Sequence, residues 1–175
     1  GKHLTGTDRI SEAAEKIKIK YNLYLDIQGD EPLVDPMHID KVIDWHSKNL
    51  EFDIVVPSIK SKNIDTPHIV KIVKSKKRVL YFSRSLIPNE FKTKRNTYLK
   101  HLSVISFKPE SLRKFRRLKR GPLEKTEGIE LLRALESNMS VGTFNLSGSS
   151  FSVDTKDDFL KAIKFMHFDK IRKKY

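Results

Sequence analysis

Apolar residues at every second position predict a β-strand near the start of the chain. Leu23, Leu25 and Ile27 are apolar at alternate positions, so they share one face of an extended segment. Gly29 and Pro32 end this strand, because glycine relaxes the limits on backbone conformation and proline cannot continue strand pairing. The segment from residue 23 to residue 33 is therefore predicted to be a strand followed by a loop.

Two acidic residues, Asp30 and Glu31, lie in this loop. In open α/β sheets, the loops that follow the carboxyl ends of strands bind ligands. A carboxylate in such a loop, beside a glycine that allows close approach, suits a hard cation such as Mg²⁺. The alternative is a β-turn with two solvated acids, and the spacing alone favours that alternative.

Helical periodicity predicts one helix on each side of the strand. Thr7 or Asp8 is placed to cap the first helix, and Asp35 caps the second, which has Pro36 in its first turn. The apolar faces predicted for these two helices are Ile10, Ala13, Ala14 and Ile17, and Ile39, Val42, Ile43 and His46. Together with a strand at 53–57, this order indicates a βαβ unit in an α/β protein with a parallel sheet.

Strands and helices continue to alternate along the rest of the chain. Strands are predicted at 69–73, 79–82, 99–107 and 141–146, and helices at 109–118, at 122–136 and from 153–155 to Met166. Leu123, Ile129, Leu132 and Leu135 are the predicted core positions of the 122–136 helix. The polar segment 89–97 is predicted to be a lid or a dimer arm. We expect one domain over residues 1–175.

Composition and charge narrow the classes of function. The chain has 35 Lys and Arg against 22 Asp and Glu, a net charge of +13, and no cysteine. The absence of cysteine excludes disulfides and thiolate metal sites, and no apolar run reaches the length of a membrane span, so we expect a cytoplasmic protein without a membrane partner. The basic residues are spread over the chain without a nucleic-acid motif. They are interpreted as a solvated surface, or as a field that favours a small polyanionic substrate, rather than as a nucleic-acid interface.

Several separate stretches resemble one enzyme family in the same order. They are H-L-T-G-T-D-R at 3–9, Q-G-D-E-P-L at 28–33, I-V-K-I-V at 69–73, Y-F-S-R-S-L-I-P at 81–88, K-H-L at 100–102, P-L-E-K-T-E-G-I-E-L-L-R at 122–133 and V-D-T at 153–155. Each stretch alone is a weak signal, but their joint order is specific. The chain resembles the 3-deoxy-manno-octulosonate cytidylyltransferase (CMP-Kdo synthetase) family over nearly its whole length.

The resemblance implies a fold, a reaction and a metal site. The implied fold is α/β and three-layered, with a mostly parallel sheet of the nucleotide-diphospho-sugar transferase type. The implied reaction transfers CMP from CTP to the anomeric hydroxyl of Kdo, an acidic sugar of lipopolysaccharide, and releases pyrophosphate. Asp30 and Asp154 match the family's Mg²⁺ ligands and catalytic carboxylates. For Asp154 the alternative is a plain helix N-cap.

The resemblance also assigns residues to the two substrates. Gln28, Arg84, His101, Glu130 and Lys71 match positions near the acidic sugar. Thr5, Gly6, Thr7 and Gln28 match positions near the nucleotide. The residues alone favour a surface ion pair for Arg84 and a hydrogen-bonded strand histidine for His101. For Glu130 the alternative is a solvated acid beside Glu127 on one helix face.

Three departures from the family pattern bear on these expectations. Leu131 stands where the family has Gln, and Ile105 stands where it has Tyr, so the sugar is left open between Kdo, 8-amino-Kdo and a nonulosonate. The family's N-terminal phosphate-binding segment has no counterpart before Gly1. We therefore expect an N-terminally incomplete fragment that is inactive alone. A non-catalytic binding domain is the remaining alternative, and a homodimer through the region 81–101 is implied by the resemblance.

Overall fold

The computed structural model describes residues 3, 5–17, 19–62, 64–149, 151–169 and 171. These residues form six helices and nine strands. In chain order they are α1 (Gly6–Lys16), β1 (Tyr24–Ile27), α2 (Pro36–Ser47), β2 (Ile54–Val55), β3 (Ser58–Ser61), β4 (Lys71–Ser75), β5 (Arg78–Ser83), β6 (Tyr98–His101), β7 (Val104–Phe107), α3 (Pro109–Arg117), α4 (Pro122–Glu127), α5 (Leu132–Glu136), β8 (Val141–Gly142), β9 (Asn145–Leu146) and α6 (Lys156–Phe168). In the described part of the chain, no helix combines the length and apolar character that a bilayer crossing requires.

The strands form one mixed sheet in the order β1-β7-β2-β8-β5-β4-β6-β3-β9. Only β2·β8 and β3·β9 are parallel among the described pairings, and the other six are antiparallel. The sheet was expected to be mostly parallel, and this part of the prediction is wrong because most strand pairs are antiparallel. Strands β1 and β2 do run in the same direction, as a βαβ unit requires, but β7 lies between them. A local pattern cannot show that a later strand inserts there.

Two apolar cores, one on each face of the sheet, give the molecule three layers. Strand β2 shows the division, because Ile54 belongs to one core and Val55 to the other, and both side chains are fully buried. The first core also contains Leu112 and Phe115 of α3, whereas the second contains Val42 of α2. The predicted three-layer architecture is confirmed.

The N-cap of α2 matches the prediction, that of α1 does not, and that of α6 lies within the predicted segment 153–155. The Asp35 carboxylate accepts from the Met37 amide, as expected. Helix α1 begins earlier than predicted, since the Thr5 hydroxyl accepts from the Asp8 amide. Helix α6 is capped by Thr155 in a reciprocal capping box with Asp158. Asp154 is therefore not the cap of α6.

A glycine divides the segment that was predicted to be one helix over 122–136. Gly128 has φ of 64°, a left-handed conformation that ends α4, and α5 begins only at Leu132. Glu127 and Glu130 therefore do not share a helix face, and Leu123 is exposed rather than part of the core. The predicted single strands at 99–107 and 141–146 are likewise each two strands.

Strand β1 carries a buried acid, Asp26, on the face that was predicted to be polar. Asp26 is only 5% exposed, whereas Ile27 is 42% exposed. The Asp26 Oδ2 atom has no hydrogen-bond partner in the described part of the chain. Burial raises the pKa of Asp26 to about 6, and the charges of Glu130 and Asp30 act in the same direction while Arg9 opposes them.

Asp26→Asn is expected to stabilise the fold, and more so at high pH. The pKa of Asp26 is higher in the folded protein than in the unfolded chain, so deprotonation of Asp26 destabilises the fold. This loss of stability is absent below about pH 4 and grows as the pH rises through 6. The amide mimics the protonated acid, and the gain should be about 3 kcal/mol at pH 8 and about half of that at pH 5. Urea unfolding at both pH values measures it.

The control is Asp40→Asn, which removes an exposed carboxylate from α2. Its effect should be small and equal at the two pH values. A destabilised Asp26→Asn variant at pH 8, or a gain that does not depend on pH, would contradict the assignment of Asp26 as a buried acid without a partner.

Candidate active-site cleft

A cleft of about 810 Å³ collects most of the residues that the sequence assigns to substrates. It lies where the loop after β1, the segment before α6 and the connection between α4 and α5 meet. The predicted residues that line it are Thr5, Gly6, Gln28, Asp30, Arg84, His101, Glu130 and Asp154. The two predicted residues that are not part of its lining are Thr7 and Lys71. The topology thus brings together positions from the whole length of the chain.

A backbone hydrogen bond joins the two acidic loops. The Val153 amide donates to the Asp30 carbonyl over 2.8 Å, which places Asp154 one residue from this contact. The Ser152 hydroxyl also donates to Glu31 Oε1 over 3.4 Å. Asp30 and Asp154 are both exposed at the cleft. The loops that carry these two carboxylates therefore meet at the level of the backbone.

The donor set at this point fits Mg²⁺ only together with a substrate. In the described part of the chain, no group of three or more His, Cys, Asp or Glu residues is placed to hold a metal ion. Asp30 and Asp154 provide two carboxylates. Mg²⁺ is commonly held by one or two carboxylates, with water and substrate phosphates as its other ligands. The residues therefore fit a metal that binds together with a nucleotide.

Arg84 is fixed at the cleft by backbone carbonyls rather than by an ion pair. Its Nε donates to the Glu127 carbonyl over 2.8 Å, Nη1 to the Pro67 carbonyl over 2.6 Å and Nη2 to the Gly128 carbonyl over 3.4 Å. The Arg84 amide also donates to the Glu127 carboxylate over 2.9 Å. The break of the helix at Gly128 exposes two of these three carbonyls, those of Glu127 and Gly128.

Lys71 lies beneath Arg84 and does not reach the cleft. The residue is fully buried, and its ammonium donates to the carbonyls of Thr66 and Arg84 over 2.6 and 2.5 Å. Burial lowers the pKa of Lys71. The structure thus gives the predicted substrate-binding lysine a different position, in which it ties two loops of the cleft wall together.

His101 is a neutral histidine with an open ring nitrogen. Its Nε2 is buried and has no hydrogen-bond partner in the described residues, so the alternative of a hydrogen-bonded strand histidine does not hold for this atom. Desolvation lowers the pKa of His101 to about 4, and the charge of Lys100 adds to the effect. A neutral imidazole at the wall of the cleft can donate to, or accept from, a substrate hydroxyl.

Glu130 is held at the start of α1. The Thr7 hydroxyl donates to Glu130 Oε1 over 2.6 Å, and the Thr7 amide lies 3.4 Å from Oε2. The amino end of a helix also favours a negative charge. Thr7 itself is fully buried. It therefore supports Glu130 instead of lining the predicted nucleotide site.

The two departures from the family pattern lie in the wall of the cleft. Leu131 and Ile105 are 2% and 1% exposed, and both line the cleft. They make part of its surface apolar, where a Gln and a Tyr would offer hydrogen bonds.

The sequence analysis missed cleft residues that come from basic or acidic runs. Arg120, Glu124 and Lys161 all line the cleft. Arg120 belongs to the basic stretch 113–120, which was interpreted as solvated surface. No local signal identified Arg120, because it lies before the start of α4 and its contact with Glu124 depends on the fold of this segment.

Comparisons with known proteins agree on one family. Residues 1–141 match the family described as Cytidylyltransferase. The 3-deoxy-manno-octulosonate cytidylyltransferase of Rickettsia felis is 42% identical over 166 residues, which cover 92% of this chain and 65% of that protein. The 3-deoxy-manno-octulosonate cytidylyltransferase of Rickettsia rickettsii is 40% identical, over 92% of this chain and 67% of that protein. The chain thus spans about 65% of the length of the curated relatives that it matches.

Solved structures give the same result for the fold. The structure of CMP:2-keto-3-deoxy-manno-octonic acid synthetase complexed with CTP superimposes with a TM-score of 0.87 at 26% identity, over 95% of this chain and 69% of that one. HddC from Yersinia pseudotuberculosis has a TM-score of 0.65 at 13% identity, over 94% of this chain and 64% of that one, and supports the fold alone. The predicted nucleotidyltransferase-like α/β fold is confirmed, and the chain belongs to the cytidylyltransferase family.

Proposed function

We propose that the chain acts in the transfer of CMP from CTP to the anomeric hydroxyl of an acidic keto-deoxy sugar of the Kdo type, with release of pyrophosphate. The observation that carries this proposal is the 2.8 Å bond from the Val153 amide to the Asp30 carbonyl, which joins two acidic loops at one cleft. The names of the relatives support the reaction. The chain spans only part of their length, so the whole activity is a proposal.

Different residues of the cleft bind the nucleotide and the sugar in this proposal. Mg²⁺ bound by Asp30 and Asp154 supplies neutralisation of phosphate charge. Gln28 and His101 offer hydrogen bonds to the sugar, and Glu130, held in place by Thr7, accepts from a sugar hydroxyl. Holding the hydroxyl near the α-phosphate in this way lowers the barrier through proximity and orientation.

A homodimer and a role in the cytoplasm complete the proposal. Phe91, 87% exposed in the segment between β5 and β6, lies in the region 81–101, through which the family resemblance implies a homodimer. The same segment is held by Glu90, which accepts from Tyr98 and from the Arg95 amide. The product is proposed to serve lipopolysaccharide synthesis in the cytoplasm.

A different acidic sugar is the second candidate. The apolar side chains of Leu131 and Ile105 remove two hydrogen-bonding groups that the family pattern places in the cleft. A sugar with a different set of polar groups, such as 8-amino-Kdo or a nonulosonate, is compatible with that change. Comparing the affinities of the three sugars for the same protein distinguishes the candidates.

Asp30→Asn and Asp154→Asn are each expected to remove the Mg²⁺ dependence of CTP binding. A carboxamide is a poor ligand for a hard divalent cation, and the two variants keep the size and position of the side chain. Calorimetric titration of CTP with and without Mg²⁺ should show an affinity gain from Mg²⁺ of at least tenfold in the wild-type chain and of less than twofold in the variants.

The control for these variants is Asp44→Asn, which changes an exposed acid of α2 away from the cleft. It should keep the full response to Mg²⁺. If either cleft variant also keeps that response, its carboxylate is not a metal ligand. Pyrophosphate release from CTP in the presence of Mg²⁺ and Kdo tests the complete reaction.

Arg84→Ala is expected to weaken the binding of Kdo at least tenfold and that of CTP less than twofold. The guanidinium closes the wall formed by Glu127 and Gly128, on the side to which the sugar is assigned. Fluorescence or calorimetric titration with each substrate measures the difference. Arg84→Lys separates loss of charge from loss of the carbonyl contacts. An equal loss for both substrates would show that Arg84 serves the fold.

A further inference from the structure

Arg120 is a cation at the wall of the cleft with one edge of its guanidinium open. Its Nε donates to Glu124 Oε1 over 3.0 Å. In the described part of the chain, its two terminal nitrogens, Nη1 and Nη2, have no hydrogen-bond partner. The side chain is 38% exposed, and the residue lines the cleft.

A buried ion pair fixes the carboxylate that holds Arg120. Glu124 is 1% exposed, and Arg133 binds both of its oxygens, with Nε to Oε2 and Nη2 to Oε1 each at 2.8 Å. Arg133 also stacks over Phe115 at 4.7 Å and donates to Asp8 over 3.2 Å. Arg133 thus fixes the orientation of the Glu124 carboxylate, and the hydrogen bond from Arg120 Nε to this carboxylate fixes the orientation of the Arg120 guanidinium.

Two other cations of the cleft, Arg84 and Lys161, differ from Arg120 in this respect. Each of the three guanidinium nitrogens of Arg84 already donates to a backbone carbonyl. Lys161 pairs with Asp158 at 3.7 Å on α6 and presents a point charge. Arg120 combines a fixed orientation with a pair of adjacent open nitrogens, which is the geometry that binds a carboxylate in a bidentate manner.

We propose that Arg120 is a further substrate-binding residue, whose Nη1 and Nη2 atoms bind the carboxylate of the acidic sugar. This inference rests on the proposed function, because it assigns a residue to the sugar of the same reaction. Arg120 contacts Glu124 of α4, the helix whose last carbonyl holds Arg84, and both arginines line the cleft. The planar guanidinium of Arg120 can form two parallel hydrogen bonds with a carboxylate, which it cannot form with a neutral ester in the same position.

The test compares two sugars that differ only at the carboxyl group. Kdo and its methyl ester are titrated calorimetrically into the full chain and into its Arg120→Ala and Arg120→Lys variants. Arg120→Ala should weaken Kdo binding about 10- to 100-fold, since a hydrogen bond between charged groups is lost. The affinities for the methyl ester and for CTP should change less than twofold. Lysine should restore only part of the affinity, because it is not a fork.

The matched control is Arg117→Ala, which removes an exposed arginine at the end of α3. It has the same change in net charge and should leave all three affinities unchanged. An equal loss for the acid and the ester, or a loss for CTP alone, would overturn the assignment of Arg120 to the carboxylate.

The two proposals fail in different ways. If the wild-type chain binds Kdo and Arg120→Ala binds it equally well, the inference about Arg120 is wrong and the proposed function stands. If the wild-type chain binds neither Kdo nor another keto-acid sugar, the proposed function is contradicted, and the inference about Arg120 is overturned with it.

Discussion

The wall of the cleft depends on the buried ion pair between Arg133 and Glu124. It joins α5 to α4, and Asp8 extends it to α1. Removal of one partner of such a pair typically costs about 3–5 kcal/mol, because the other charge stays buried. Since α4 ends at Gly128 and α5 begins at Leu132, the pair also fixes the short connection that carries Glu130 and holds Arg84. One interaction thus positions groups that all face the same cleft.

The opposite wall of the cleft is held together by a backbone hydrogen bond and not by an ion pair. The bond between the Val153 amide and the Asp30 carbonyl fixes two loops, and leaves both acidic side chains exposed to a ligand. Thr155 performs the capping of α6, so Asp154 is not needed for it. The cleft therefore has an acidic wall that suits a metal with phosphate and another that offers cations and donors to an acidic sugar. This separation matches a reaction between a nucleotide and an anionic acceptor.

Local patterns predicted some elements well because their physical causes are local. Asp35 and Pro36 define the start of α2 by themselves, and the basic turn at 74–78 defines a hairpin. The break at Gly128 could not be predicted from periodicity, since its flanking apolar residues keep a helical spacing. The insertion of β7 between β1 and β2 depends on contacts between distant segments.

For the cleft, the sequence predicted most of the lining residues but not which residues only support them. Motif resemblance identified eight residues that line the cleft, because such motifs record the positions of ligands. It did not show that Lys71 and Thr7 are buried supports, since burial depends on tertiary contacts. Arg120 was missed for the same reason: within a basic run, nothing local shows which cation turns towards the cleft.

The proposed function requires that three segments distant in sequence form one binding site for a nucleotide and an acidic sugar. Hydrogen exchange of the backbone amides, measured by mass spectrometry with and without CTP, Mg²⁺ and Kdo, tests it most directly. The account predicts slower exchange in segments 28–31, 128–131 and 152–155 together, with no change in the basic helix α3. Protection of α3 with no change in those three segments would contradict it.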